Sequence, residues 1–187
     1  MAHFGAEYAV DTVTGNYHDF GSIASAMLDM AALMLETEIE EMDKKEILST
    51  MKNLPPHDDV KEGLQQLKDA GFRLATLTNS AMPTLIAQLE YAGLSSYFEA
   101  TTSSVDAVKR YKPAPETYQY AAQTLGIPAN EALLVAAHGW DIAGALQSGL
   151  QTAFIERKGQ SLYPLAAKPQ HIGKDLVEIA NAIIKQQ

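Results

Sequence analysis

The sequence predicts an α/β protein, a doubly wound parallel sheet preceded by a helical segment. Three observations predict it. From residue 60 onward, short apolar runs alternate with amphipathic stretches, which is the pattern of parallel βαβ units. Glycines at 71, 93, 126 and 149 stand where four of those amphipathic stretches end, as glycines just past helix C-termini do. Two adjacent prolines, Pro55 and Pro56, separate this region from a first part that is helical in period.

In order along the chain, residues 20–35 carry Ile23, Met27, Met30, Ala31 and Met34 at helical spacing, and 44–53 resume as a short helix after a charged stretch. The break at 54–59 divides the chain into a helical segment over 1–55 and an α/β region over 56–187. Within the latter, 60–70 reads as a helix, 73–77 (RLATL) as a strand and 83–92 as a helix. FEATTSS (98–104) is a second strand region, 115–125 a helix and 132–136 a third strand. A helix over 142–148, a strand QTAFIER over 151–157 and a helix over 176–184 complete the series. No internal repeat or low-complexity tract interrupts it.

Bulk composition excludes several classes. The 187 residues are 47% hydrophobic and 20% charged, an ordinary globular balance. A net charge of −9 makes nucleic acid and anionic membrane surfaces unfit partners. There is no cysteine, which removes disulfides, thiolate metal sites and cysteine nucleophiles and suits a reducing compartment. No run of eighteen apolar residues and no signal-like N-region occurs, so the expectation is a cytoplasmic protein.

In a doubly wound sheet, ligands sit beyond the carboxyl ends of the strands. The residues released there are Thr78, Asn79 and Ser80 after the first strand, and Lys112 and Tyr118 after the second. His138, Trp140 and Asp141 follow the third. Singly, each has a plain alternative. A lysine before proline is more often a solvated loop residue, and LTNS is more often a helix N-cap. A lone histidine is more often an interior one, and Trp140 serves equally as core. Together, in this order, they describe a site for an anion beside a reacting centre, with Lys112 as its cation.

LTNS, SSVDAVKRYKPAPETY and VAAHGWDIAGA resemble, in that order, the second, third and fourth motifs of the haloacid dehalogenase superfamily. They are closest to its L-2-haloacid dehalogenase (type II) branch. TVTGNYHDF resembles a stretch of that branch's helical cap, and PPHDDVKEGLQQLKDAG its return from cap to core, so the likeness covers nearly the whole chain. The resemblance implies a Rossmann-like core with a helical cap. It implies hydrolytic dehalogenation of small 2-haloalkanoic acids through an aspartyl-ester intermediate, without cofactor or metal, by a homodimer. It also assigns roles: Thr78 and Asn79 hold the substrate carboxylate or the halide, and Lys112 offsets charge. Asp141 pairs with Lys112 and orients water, His138 assists as a base, and Tyr118 and Trp140 shape the pocket. His138 stands where that branch commonly has asparagine.

Phosphatases of the superfamily carry a pair of acids in the fourth motif to hold Mg²⁺. Here one of those positions is Ala137, leaving Asp141. The attacking aspartate of the family lies in a motif like Phe-Asp-x-Tyr-Gly-Thr at the end of a first core strand, and no such motif precedes TVTGNYHDF. Asp11 in AVDTVTG is one residue out of spacing and lacks an apolar strand before it. The expectation is therefore a chain shortened at its N-terminus, without the first core strand and its nucleophile, inactive or impaired alone. That strand position would be filled by AHFGAEYAV or by a partner chain. The alternatives are a Mg²⁺-dependent phosphatase and a non-catalytic binding or dimerisation module. For the module, Met27, Met30 and Met34 are the candidate contact, with ordinary core packing as their plainer reading.

Overall fold

The computed structural model describes residues 4–99 and 103–186. In chain order the elements are α1 (Phe4–Thr14), α2 (Phe20–Met34), α3 (Glu41–Thr50), α4 (Val60–Asp69), β1 (Leu77–Thr78), α5 (Met82–Ala92) and β2 (Ser103–Ser104). They continue with α6 (Pro115–Leu125), β3 (Leu133–Ala136), α7 (Gly139–Gln147), β4 (Gln151–Ile155), β5 (His171–Gly173) and α8 (Leu176–Ile184). The chain forms two compact units. One comprises Met1–Pro55, Thr78–Ser95 and Ser104–Tyr111, the other Pro56–Leu77, Ser96–Ser103 and Lys112–Gln187.

The first unit is helical. Asp19 caps α2, its carboxylate accepting from the amides of Gly21 and Ser22 at 2.9 and 3.1 Å and from the Ser22 hydroxyl at 2.7 Å. Helix α2 buries Ile23 and Met27, which pack with Val105 and Tyr111 and with the half-buried Tyr8, Tyr17 and Phe20. Met30 and Met34, on the same predicted stripe, are 46% and 67% exposed. The rings of Tyr17 and Tyr111 stack with centroids 5.5 Å apart. Asp106 accepts from the Tyr17 hydroxyl and from the amide of Met82 at 3.3 Å, tying the start of α5 to this cluster. Helix α5 carries Pro83 in its first turn and is closed by Gly93, whose φ of 64° lies in the left-handed region that L side chains resist. Residues 4–14 are a helix, so the described part of AHFGAEYAV does not supply a strand.

The second unit holds a parallel sheet in the order β3-β4-β5. Leu133 to Ala136 pair with Gln151 to Phe154, and Ala153 to Ile155 with His171 to Gly173. The central strand β4 buries Thr152, Ala153, Phe154 and Ile155. Helix α7 lies over β3 and β4, α6 packs on α7, and α8 packs on β5 and α4. Gly63 makes the last contact close, since a Cβ there would lie 2.6 Å from Leu176 Cγ. Asp59 joins the same region: its carboxylate accepts from Arg157 at 2.7 Å and from the amide of Leu176, the first residue of α8, at 2.6 Å. These bonds hold its carboxyl down at about pH 2, the Arg157 bond being the larger cause.

Three expectations are corrected. The stretch 73–77 is a strand only at its last residue, where β1 pairs with β2; residues 73–76 have no ladder. Strand geometry needs a neighbour, and the inner side of this segment faces open space rather than β3. Of FEATTSS, Ser103 and Ser104 form β2 and residues 100–102 lie outside the described residues. Helix α7 starts at Gly139, three residues earlier than its apolar period suggests, with His138 as its N-cap residue. Strand β5 has no local apolar signature, and its pairing with β4 alone makes it a strand.

Candidate active site

The open space beside β3 is a cavity of about 420 Å³ in the second unit, bounded by residues 74–77 on one side and Leu133–Val135 on the other. Leu64, Leu67, Ala122 and Leu125 of α4 and α6 line it, and Lys112 and Asp141 are its charged residues apart from Arg73. Strand β3 reads LLVA and would be expected wholly inside, yet all four residues are only half buried. Its edge toward the cavity has no strand partner among the described residues. The result is an apolar slot beside β3 with Lys112 and Asp141 in its wall.

Lys112 follows directly on the crossing between units and is 8% exposed. Its Nζ donates to Asp141 Oδ2 at 2.6 Å and to the main-chain carbonyl of Leu77 at 3.1 Å, and lies 5.9 Å from the Trp140 ring centre. The other oxygen of Asp141, Oδ1, accepts from the Tyr118 hydroxyl at 2.7 Å. Tyr118 is fully buried in α6 and Asp141 is 3% exposed. Asp141 sits in the first turn of α7, where the free amides and helix dipole favour a negative charge. A buried carboxylate is costly unless paired and hydrogen-bonded, and here both oxygens are engaged. Asp141 is thus built to hold Lys112 in place.

The sequence-predicted residues divide accordingly. Lys112, Asp141 and Tyr118 converge on one buried cluster, with Trp140 beside it. His138 is exposed, and its ring lies against Trp140 with centroids 5.4 Å apart. Thr78 and Asn79 belong to the first unit and are half buried there, Thr78 Oγ1 accepting from the amide of Ser80 at 3.0 Å. Neither caps α5, whose N-cap position is Ala81. Near this loop, within the same unit, Phe20, Lys45, Lys52, Ser80 and Thr84 line a second cavity of about 270 Å³. Asp11, in α1, accepts from the amide and ring nitrogen of His18 at 2.8 and 3.0 Å. The Leu77 carbonyl is the member of the cluster that sequence reading missed. No side-chain signal marks it.

Among the described residues, no three His, Asp or Glu side chains come together to hold a metal ion. With both Asp141 oxygens taken and a methyl group at Ala137, this donor set does not fit Mg²⁺. No helix among the described residues is long and apolar enough to cross a membrane.

Comparison with known proteins identifies the family. Residues 5–149 match the family model of haloacid dehalogenase-like hydrolases. The chain is 33% identical over 148 residues to (S)-2-haloacid dehalogenase 4A of Burkholderia cepacia, covering 79% of this chain and 64% of that protein, so it spans less than two thirds of that relative's length. It is 30% identical over 178 residues to (S)-2-haloacid dehalogenase 1 of Pseudomonas sp. (strain CBS-3), covering 93% of this chain and 76% of that one. A crystal structure of a dehalogenase superposes with a TM-score of 0.87 at 30% identity, over 95% of this chain and 78% of that one. With the family model matching well over half of its residues, the chain belongs to the haloacid dehalogenase-like hydrolases.

Proposed function

We propose that the second unit is the core of a hydrolytic dehalogenase of small 2-haloalkanoic acids, and that residues 1–55 contribute its helical cap. The observation that carries the reading is the buried Lys112–Asp141–Tyr118 cluster at the apolar slot beside β3. Because both oxygens of Asp141 accept strong hydrogen bonds, the attacking group is a second carboxylate, delivered by an extended apolar segment seated in that slot. Its oxygen attacks C2 of the haloacid, the carbon–halogen bond breaks, and halide leaves with the electron pair. Water then adds to the ester carbonyl, releasing the 2-hydroxy acid and a proton and regenerating the carboxylate. The names of the relatives support (S)-2-haloacids as substrates.

Lys112 offsets the charge of the nucleophile and the departing halide, and Asp141 and the Leu77 carbonyl fix its ammonium in place. Thr78 and Asn79 bind the substrate carboxylate or the halide. Tyr118 and Trp140 shape the pocket, and the exposed His138 assists ester hydrolysis as a base. No metal or cofactor takes part. The exposed Leu33 and Met34 of α2 support self-association as a homodimer, and the lack of cysteine supports a cytoplasmic setting.

The test is chloride release from the two enantiomers of 2-chloropropionate, with EDTA present. It compares the 187-residue chain alone with the chain fused to an aspartate-bearing strand, and includes a Lys112→Ala control. Enantioselective release from the fused form, lost in the control, is expected, with little or none from the chain alone. A folded, fused protein that releases no chloride, or does so unchanged without Lys112, refutes the reading.

A further inference from the structure

Helix α7 carries Asp141, yet what sets the geometry of the cluster is the bare point one turn further on. Gly144 is buried and has ordinary helical backbone, so its lack of a side chain answers to space rather than conformation. A Cβ there would lie 2.6 Å from Pro113 Cβ, 2.7 Å from the Tyr118 hydroxyl and 2.9 Å from the Pro113 carbonyl oxygen. Carbon atoms do not approach this closely, so a methyl group must displace its neighbours. Those neighbours are the residue bonded to Lys112 and the hydroxyl that holds Asp141 Oδ1. Glycine in a helix interior is less favourable than alanine, and it stands here facing the Tyr118 hydroxyl and the residue that follows Lys112.

We propose that Gly144 is a positioning residue: its missing side chain lets the Lys112–Pro113 turn and the Tyr118 hydroxyl close on Asp141 from two sides, and so fixes the ammonium of Lys112. The importance of that ammonium for turnover rests on the dehalogenase reading; the placement itself does not. Gly144→Ala displaces Tyr118 and the Lys112–Pro113 turn together, and Lys112 swings away from Trp140.

The test compares Gly144→Ala with Gly63→Ala in the full chain. The latter makes an overlap of the same depth, 2.6 Å, against Leu176 in the α4–α8 contact instead. Trp140 is the chain's single tryptophan, so its emission reports the cluster whether or not the protein turns over. Gly144→Ala is expected to move that emission toward the spectrum of Lys112→Met, while Gly63→Ala keeps the wild-type spectrum and loses only stability. In the form active on 2-chloropropionate, kcat is expected to fall at least tenfold in Gly144→Ala with KM within threefold, and to stay within twofold in Gly63→Ala. Wild-type emission from folded Gly144→Ala, or equal changes in both variants, overturns the proposal. An absence of turnover in every protein, wild type included, strikes the dehalogenase reading and leaves the emission result to decide this one. Should Gly144→Ala not fold, the pair Tyr118→Phe/Gly144→Ala removes the hydroxyl in the way. It keeps the closer overlap with Pro113, so it is expected to fold with an emission still displaced from that of Tyr118→Phe toward that of Lys112→Met, and an emission equal to that of Tyr118→Phe alone also overturns the proposal.

Discussion

Replacing Lys112 with methionine keeps the bulk of the side chain and removes its charge, leaving Asp141 as an unpaired buried carboxylate. The two groups are 2.6 Å apart, with side chains 10% and 5% exposed. At an effective dielectric of about 20, their gross attraction is about 6 kcal/mol, much of it offset by the desolvation of both ions. Breaking one side of such a pair typically costs about 3–5 kcal/mol. Here the Tyr118 hydroxyl and the first turn of α7 still support the carboxylate, so the lower end, about 3 kcal/mol, is expected. Urea unfolding followed by far-ultraviolet circular dichroism measures it, against a total stability of about 5–15 kcal/mol for a domain. The paired variant Lys112→Met/Asp141→Leu is the sharper arm. With no stranded charge, it should recover more than half of the loss, since the Tyr118 hydroxyl retains the Asp141 main-chain oxygen at 3.2 Å. A loss below about 1 kcal/mol in the single variant, or a double variant less stable than the single one, refutes the reasoning.

Other outcomes follow from the same physics. Asp59, held at about 2 against an ordinary 3.8, contributes about 2 kcal/mol that is fully present above pH 4 and lost as pH falls toward 2. Asp59→Asn should therefore flatten the acid limb of a melting-temperature profile, and an unchanged limb counts against the Arg157–Asp59–Leu176 linkage. Burial pushes the Tyr111 hydroxyl up to about 12, and burial with the Asp106 bond pushes Tyr17 up as well. The stability they lend is present below pH 10 and lost above it, so Tyr17→Phe should weaken the alkaline dependence in a denaturation series run from pH 9 to 11.5. His138 is exposed and caps nothing with its side chain, so His138→Asn should alter unfolding free energy by less than about 0.5 kcal/mol. A loss of 2 kcal/mol or more would show that its contact with Trp140 holds α7 in place.

Much of this was legible in the sequence where the signals are local. Helices α6 and α8 begin and end where proline, glycine and apolar period place them, because capping and periodicity are properties of neighbouring residues. Strands are not local in this sense. Residues 73–76 carry a strand's composition without a ladder, and His171–Gly173 carry little of it and pair nonetheless. In the site, the order of Lys112, Tyr118 and Asp141 at successive strand ends was readable, and the family resemblance implied the pairing of lysine with aspartate. That Tyr118 would take the second oxygen of Asp141 depends on α6 meeting α7 at Gly144, which no spacing within either segment reveals. Sequence proximity joined His138 to Asp141. In the structure residue 138 is the exposed N-cap of α7, whereas residue 141 is buried in its first turn.

The most direct test of the site is to find which carboxylate forms the ester. Single turnovers of excess fused protein on (S)-2-chloropropionate in ¹⁸O-water, followed by peptide mapping, mark the nucleophile, because hydrolysis leaves the isotope in its carboxyl group. The expected label falls on the aspartate of the segment seated beside β3, with Asp141 and Asp11 unlabelled. Label on Asp141 would contradict its assignment as the residue that holds Lys112 and would make it the attacking group instead.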